Sequence, residues 1–284
     1  MNLIHKGKVK DVYQFDNDTL AFVFSDRISA FDIIMNQVIP HKGKILCKFA
    51  RFWFENLKME NHMIKLLDDN TMLVKKLEMI PIECVVRGYF YGSLVERYND
   101  PIKTKSNYAK SLLKNNNNLS IASKLISPIF DPTTKSHDHD REISKKNIIS
   151  SGILSDSDFD FIKQKSLSLY DQISRIVEKA GFIISDVKFE FGFDTNGNII
   201  LADSIGPDEF RLWMKSTYQE GKIQDSYDKQ ILRDWLIQSG FKKTVDELAG
   251  FRKKPDPPII PKNVIDSISQ RYILAYEKIT GEKY

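Results

Sequence analysis

FIISDVKFEFGFDTNGNIILADS, Phe182 to Ser204, decides how this chain folds. Two apolar runs flank Asn196-Gly197, the strongest short-range signal for a hairpin closed by a type I′ turn. With those two residues at the centre, Thr195 faces Asn198, and counting outward brings Glu190 opposite Asp203. Side chains alternate across a strand, so Val187, Phe189, Phe191 and Phe193 take the core face, and Asp186, Lys188 and Glu190 take the other, with Asp203 beside them. Opposed Cβ atoms in such a pair lie roughly 4.5–5.5 Å apart, and like charges there repel. A divalent cation between Glu190 and Asp203 removes that cost. Magnesium suits it best, because one or two carboxylates plus phosphate oxygens and waters are its usual shell. Lys188 on a solvated hairpin face could also neutralise part of the repulsion without any metal.

Working outward, strands are expected at 9–15 and 20–24 around an Asp16–Asp18 turn. A helix is expected at 43–57, where apolar residues recur at three and four, and strands at 72–77 and 82–87 joined through Pro81. Residues 99–145 read as irregular. A long helix fits 156–180, with Ser155 as its N-cap and Gly181 just past its end. Another fits 227–238, and a Pro-rich connector at 254–261 leads to a last helix ending near 279. Early strands, then mixed elements, then helices make this an α+β pattern. The reading divides it into a β-rich lobe at 1–90 and an α+β lobe at 91–284.

The chain has 284 residues, 42% hydrophobic and 28% charged, with a net charge of +4, an ordinary globular balance. No concentrated basic stripe is present, so small anions fit as partners better than a nucleic acid. Cys47 and Cys84 stand in no disulfide or zinc spacing, which points to a reducing, cytoplasmic setting. No apolar run is long enough for a signal peptide or a membrane span. A homo-oligomer is allowed but not indicated.

GKVKDVY (7–13) places a glycine before two lysines spaced for one strand face, a setting that lets backbone N–H groups approach a phosphate. Hairpins with Gly and Lys are common, so this signal is weak alone. GxxxxGK[ST], GxGxxG and HRD are all absent, which excludes a P-loop, a dinucleotide fingerprint and an ordinary protein kinase. Arg87-Gly88 at a strand end, Gly92-Ser93 at the mouth of a short helix, and Arg211 after Pro207-Asp208 could together clamp a phosphate. Surface ion pairs are the commoner fate of such arginines. His137, Asp138, His139 and Asp140 could be read as metal ligands, but no second cluster completes a site with them, and consecutive residues on a strand diverge. A polar loop closing over substrates is the better reading of 127–144.

GKVKDVY (7–13), FSDRISAFD (24–32), IPIECVVRGYFYGS (80–93), SPIFDPTTKSHDHDREIS (127–144), IISDVKFEFG (183–192), LADSIGPDEFRLW (201–213) and SYDKQILRDWL (226–236), in that order, resemble the phosphoribosylaminoimidazole-succinocarboxamide synthase (SAICAR synthetase) family. The resemblance implies a fold related to ATP-grasp and kinase-like enzymes, with a small β-rich lobe over a larger α+β lobe. It implies an ATP-dependent ligase joining L-aspartate to carboxyaminoimidazole ribonucleotide (CAIR) through an acyl phosphate, in purine biosynthesis. By that resemblance Gly7, Lys8, Val9 and Lys10 cover the ATP phosphates, with the adenine near Lys76 and Met79. Glu190 and Asp203 bind magnesium and ATP. Lys188 lies between the CAIR carboxylate and the γ-phosphate. Arg87, Ser93 and Arg211 hold the CAIR phosphate, and Ser29 is a further substrate contact. Lys135, His139 and Asp140 belong to the loop over the substrates. The base for the aspartate amine is His139 or Asp140, undecided between them.

The chain departs from the family's pattern in places. Ser204 stands where Glu is usual, Glu209-Phe210 where Ser-Ser or Gly-Ser is usual, Val187 for Thr, and Arg141-Glu142 for Glu-Asn. Two other classes compete with this reading. A small-molecule or inositol phosphate kinase shares the ATP lobe and the paired carboxylates. A basic RNA-binding protein is suggested only by a pI near 8.8.

Overall fold

The computed structural model describes residues 1–99, 108–116, 118–135, 141–249, 251 and 253–284. Its organising element is β12 (Phe182–Phe193), twelve residues long and buried along most of its length. The first part of this strand runs between β9 (Ile82–Tyr89) and β14 (Phe210–Met214). From Glu190 onward its partners are β13 (Ile199–Ala202) and β8 (Glu78–Met79). Further out, β10 (Lys124–Phe130) and β11 (Thr133–Thr134) pair with β9. Strands that separate from a shared neighbour leave a crevice between them, and the site described below lies where β12 changes partners.

A second antiparallel sheet is built from β1 (Asn2–Lys6), β2 (Lys10–Gln14), β3 (Thr19–Phe24), β7 (Thr71–Lys75) and β6 (Met63–Leu66), in that spatial order. The expected hairpin around Asp16–Asp18 is present, with Gln14 opposite Leu20. A small hairpin, β4 (Arg27–Ala30) and β5 (Ile33–Val38), turns on Phe31 and Asp32, whose φ values are 53° and 61°. Two positive φ values in a two-residue loop are the type I′ pattern. It therefore occurs here, and not at Asn196-Gly197 where the sequence suggested it.

At that second place the loop holds three residues. Asp194 closes on Asn198, its N–H donating to the Asn198 carbonyl at 3.0 Å. The Asp194 carboxylate accepts the N–H groups of Asn196 and Asn198, both at 2.8 Å, and Gly197 takes φ 80°. Asp194 thus draws the turn one residue earlier by satisfying its donors. The register moves with it, so Glu190 faces Ala202 and not Asp203.

Helices cover the sheets. α1 (Lys42–Asn56) and α5 (Asp156–Lys179) match the expected periodicity, and Ser155 caps α5 by accepting from the Asp158 N–H at 3.1 Å. Short helices α2 (Ser93–Asn99) and α3 (Tyr108–Leu112) pack on each other, and α4 (Lys145–Ser150) packs on α5. α6 (Gln230–Gln238) starts three residues later than expected; α7 (Phe241–Ala249) was not expected, and α8 (Lys262–Thr280) closes the fold. The stretch expected to be irregular holds β10, whose Leu125 and Phe130 are buried. Among the described residues one large apolar core joins most of the elements, with smaller clusters around Trp213 and around Leu94, Leu113 and Leu125; in the large core Phe49 of α1 meets Phe210 of β14 and Tyr276 of α8 edge-on, and Trp53 is fully buried. Burying each such side chain contributes about 1.5–3 kcal/mol.

α5 is fixed to β12 by Tyr170, whose hydroxyl donates to the Ile184 carbonyl at 2.8 Å. That hydroxyl lies against Gly88 of β9, where an added Cβ would stand 1.9 Å away. Gly88→Ala should therefore destabilise the protein by about 1–3 kcal/mol, the usual cost of overpacking. Denaturant titration checks this, and adding Tyr170→Phe, which removes the obstructing oxygen, should recover part of the loss.

Candidate active site

Residues Asp186, Lys188 and Glu190 follow one another along one face of β12, and Arg87, Val85 and Glu83 run antiparallel beside them on β9. Each step of two residues advances about 6.6–7 Å. The strand therefore spaces three groups of charges in a row.

At the first, Asp186 is paired across the sheet with Arg87 on one side and Arg211 on the other. Arg211 Nη1 contacts both Asp186 carboxylate oxygens, at 2.8 and 3.0 Å. Arg87 is buried; its Nε donates to Asp131 at 2.6 Å and its Nη2 to Ser93 Oγ at 3.1 Å. Arg97 joins the same Asp131. Arg87 Nη1 is buried with no hydrogen-bond partner among the described residues. Gly92, with φ 60°, passes so close to Arg211 that a Cβ would stand 2.6 Å from its Nη2. Arg87, Ser93 and Arg211 therefore converge as the sequence suggested, although they lie off the lining of the main cleft.

At the second, Lys188 donates to Glu83 at 2.7 Å and to Glu190 at 3.2 Å. Burial pulls its pKa down, but Glu190, Glu83 and Asp203 outweigh this and hold the ammonium well above its usual range.

At the third, Glu190 is 3% exposed and also takes Lys135 at 2.5 Å. Lys10 from β2 forms an ion pair with Asp203 and reaches Ser204 Oγ at 3.2 Å. Burial pushes the Asp203 carboxyl up, yet Lys10, Lys188 and Lys135 outweigh it and hold it below the usual range. Lys135 is raised, because Glu190 and Asp203 overcome its burial.

Glu190 and Asp203 thus meet in one place even though they are not cross-strand partners. Asp203 lies just past the end of β13 with φ 62°, a left-handed turn that ends the alternation. Two hard carboxylates already surrounded by ammonium groups suit a magnesium ion that takes its remaining ligands from phosphate and water. Among the described residues no cluster of three or more His, Cys, Asp or Glu forms a self-contained metal cage.

These groups open into a cleft of about 890 Å³. Gly7, Lys8, Val9 and Lys10 line it, and so do Ser29, Met79, Glu83, Lys135, Lys188, Glu190 and Asp203. At Gly7 a Cβ would lie 2.5 Å from the Lys10 carbonyl oxygen, so only glycine fits that turn. Lys8 does not lie beside Lys10; it pairs with Asp32 of the β4–β5 turn. Lys76 is exposed and off the cleft, whereas its neighbours Lys75 and Leu77 line it. His139 and Asp140, with His137 and Asp138, lie outside the described residues.

Several cleft residues were not found from sequence. Glu83 alternates with Val85 and Arg87, so strand periodicity could have shown it. Asp208, Glu209, Lys229, Arg233 and His62 gather from separate segments, and only the fold brings them together. Asp208 sits between Lys42 at 3.0 Å and Lys229 at 3.6 Å, which outweigh its burial and keep it ionised. Burial likewise pulls Lys229 down.

The SAICAR synthetase family model matches residues 3–248. The chain belongs to the SAICAR synthetase family. The phosphoribosylaminoimidazole-succinocarboxamide synthase of Nitrosopumilus maritimus is 46% identical over 282 residues, 99% of each chain. That of Candida maltosa is 38% identical, covering 99% of this chain and 96% of its own. The solved SAICAR synthase of Saccharomyces cerevisiae, complexed with SAICAR, superposes with a TM-score of 0.82 at 34% identity, covering 99% of this chain and 95% of that one. A SAICAR synthetase in complex with ADP gives 0.74 at 28% identity, covering 99% and 98%. The family departures can now be placed. Ser204 serves as a hydroxyl contact for Lys10. Glu209 enters the cleft, and its buried Oε2 has no hydrogen-bond partner among the described residues.

Burial, with Asp208 nearby, pushes the Glu209 carboxyl up to about 8 from an ordinary 4.5. A carboxyl that holds its proton more tightly folded than unfolded makes the fold lose stability as pH rises between those values. Glu209→Gln should remove that slope. Melting temperatures of parent and variant should coincide near pH 5, and the variant should lie several degrees higher above pH 8.

Proposed function

We propose that this chain joins L-aspartate to the carboxylate of CAIR with ATP as activating substrate, releasing SAICAR, ADP and phosphate. The observation that carries the reading is the order of charges along β12: an aspartate between two arginines, a lysine between two glutamates, then a glutamate beside the Asp203 arm. SAICAR in the yeast relative and ADP in the other solved relative support it.

A carboxylate does not react with an amine at neutral pH, because its oxygen is a poor leaving group. Transfer of the γ-phosphoryl group to the CAIR carboxylate makes an acyl phosphate. The aspartate amine then adds to the acyl carbon, the C–N bond forms, and the C–O bond to phosphate breaks. The protein's part is placement and charge neutralisation. Arg87, Ser93 and Arg211 hold the ribonucleotide phosphate, with the spare Arg87 Nη1 as a further donor. Lys188 stands one strand step from that clamp, where it offsets charge on the transferred group. The 7–10 turn covers the nucleotide phosphates, and the adenine lies against Leu77 and Met79. Glu190 and Asp203 would hold magnesium, which when bound supplies charge neutralisation for those phosphates. Ser29 and Lys135 face the aspartate side, and the base for the amine is His139 or Asp140. In this reading residues 1–90 carry the nucleotide contacts together with Ser29 and Arg87 of the substrate contacts, and residues 91–284 carry the metal ligands and the remaining substrate contacts. Small molecules are then the only substrates required, and the cytosol suits the two free, buried cysteines.

Mass spectrometry should detect SAICAR from CAIR, aspartate and Mg-ATP, with ADP release abolished when aspartate is omitted. Undiminished ADP release without aspartate, with a phosphorylated acceptor, would place the chain among the kinases. Lys188→Met should lower kcat by about a hundredfold or more, the scale of losing a transition-state donor, while ATP affinity stays nearly unchanged. Near-normal turnover in that variant would leave Lys188 only the role of separating Glu83 from Glu190.

A further inference from the structure

His62 is buried in the cleft wall and plays no part in the chemistry derived above. It lies between α1 and β6, only 2% exposed, with its ring edge-on to Phe22 and to Phe54, each with a centroid distance of 5.4 Å. Its Nε2 is 3.1 Å from the carbonyl oxygen of Asp203. A carbonyl can only accept, so Nε2 carries the hydrogen and donates.

The position of that carbonyl matters because of what Asp203 has to do. Ala202 is the residue opposite Glu190. Were the chain to stay extended, alternation would send the next side chain to the face away from Glu190. The left-handed turn at Asp203, φ 62°, brings the carboxylate back to the cleft. Such a backbone conformation is unfavourable for a side chain larger than glycine, and it persists only where the surroundings fix it.

Among the described residues two hydrogen-bonding contacts hold Asp203 here. At the carboxylate it is Lys10, whose ammonium also reaches Ser204 Oγ. At the carbonyl it is His62. The Lys10 pair is exchangeable, since any cation or phosphate entering the cleft competes for both partners. The carbonyl contact is not exposed to that competition. It is also anchored: the His62 N–H donates to the Leu201 carbonyl at 3.0 Å, the Leu201 N–H to Glu60 at 2.9 Å, and the Lys75 N–H to the His62 carbonyl at 2.7 Å. Residues 60–62 therefore grip residues 201–203 and are themselves tied to β7.

We propose that His62 is a positioning residue that aims the Asp203 carboxylate at Glu190 by holding the Asp203 carbonyl in the left-handed turn. This rests on the reading that Glu190 and Asp203 share a divalent cation. Groups that orient metal ligands in this way typically contribute 10- to 100-fold to metal affinity.

The test uses the full chain with ADP and Mn²⁺, a spectroscopically visible substitute for Mg²⁺, and no CAIR or aspartate. Free Mn²⁺ is titrated by electron paramagnetic resonance. Asp203→Asn tests the metal reading by itself: it should weaken Mn²⁺ binding strongly, and unchanged binding would sink that reading and the His62 role together. His62→Phe, which fills the same space without a donor, should weaken Mn²⁺ binding about tenfold or more and leave metal-free ADP binding unchanged. His62→Gln, whose amide can donate, should recover most of the loss. In an Asp203→Asn background the Phe substitution should add little. If His62→Phe does not fold, His62→Met removes the donor in a more adaptable side chain and is read the same way. A folded Phe or Met variant that binds Mn²⁺ like the parent, while Asp203→Asn does not, would overturn the His62 role and leave the metal pair standing.

Discussion

A cleft that receives several phosphates while keeping its own carboxylates must carry enough positive charge to hold both. The constraint is severe where water is scarce, because an unpaired charge in low dielectric is very costly. Here it is met by sharing. Lys188 serves Glu83 and Glu190, Glu190 also draws on Lys135, and Lys10 serves Asp203 and Ser204. Glu190 draws on two ammonium groups and Lys188 on two carboxylates, so partners can be exchanged when an anionic substrate enters. The sheets arrange this from different segments: Lys10 comes from one sheet, Lys188 and Glu190 from the other, and Lys135 from the strand edge beside β9.

Much of this was legible from one strand. Alternation alone put Asp186, Lys188 and Glu190 on one face, since burial on the opposite face leaves no other choice for Val187, Phe189 and Phe191. The turn was misplaced by one residue because Asp194 competes for the backbone donors, a local effect that the Asn-Gly signal does not contain. Glu190 and Asp203 reach the same cleft, but not as the cross-strand pair that the sequence suggested. The register error and the left-handed turn at Asp203 cancel. What stayed invisible was non-local. Asp208, Lys229 and His62 carry no short-range signature and become a group only when distant segments pack, whereas the alternation of β9 already carries Glu83. β10 was hidden because Pro128 falls within it and the polar tract Asn115–Asn118 precedes it, and it packs on β9 and α5.

The departures from the family pattern gain meaning from their neighbours. Loss of a carboxylate at Ser204 lowers the negative charge beside Asp203, and the hydroxyl keeps a contact with Lys10. Glu209 adds a carboxyl elsewhere in the same cleft, and its burial favours the neutral form near physiological pH. Near physiological pH the two changes together therefore leave the cleft with less negative charge than a site with a carboxylate at position 204.

The β12 strand also determines where this gene can tolerate change in length. Between Asp186 and Glu190 it contains no loop to absorb an inserted or deleted codon, and a shift of one residue would turn the lysine and glutamate to the core side and bring phenylalanines into the cleft. The hairpin tip at 195–197 faces solvent and bears no such restriction. Length variation among descendants of this sequence is therefore expected at the tip and in the connectors, with the five residues from Asp186 to Glu190 inherited as an indivisible unit.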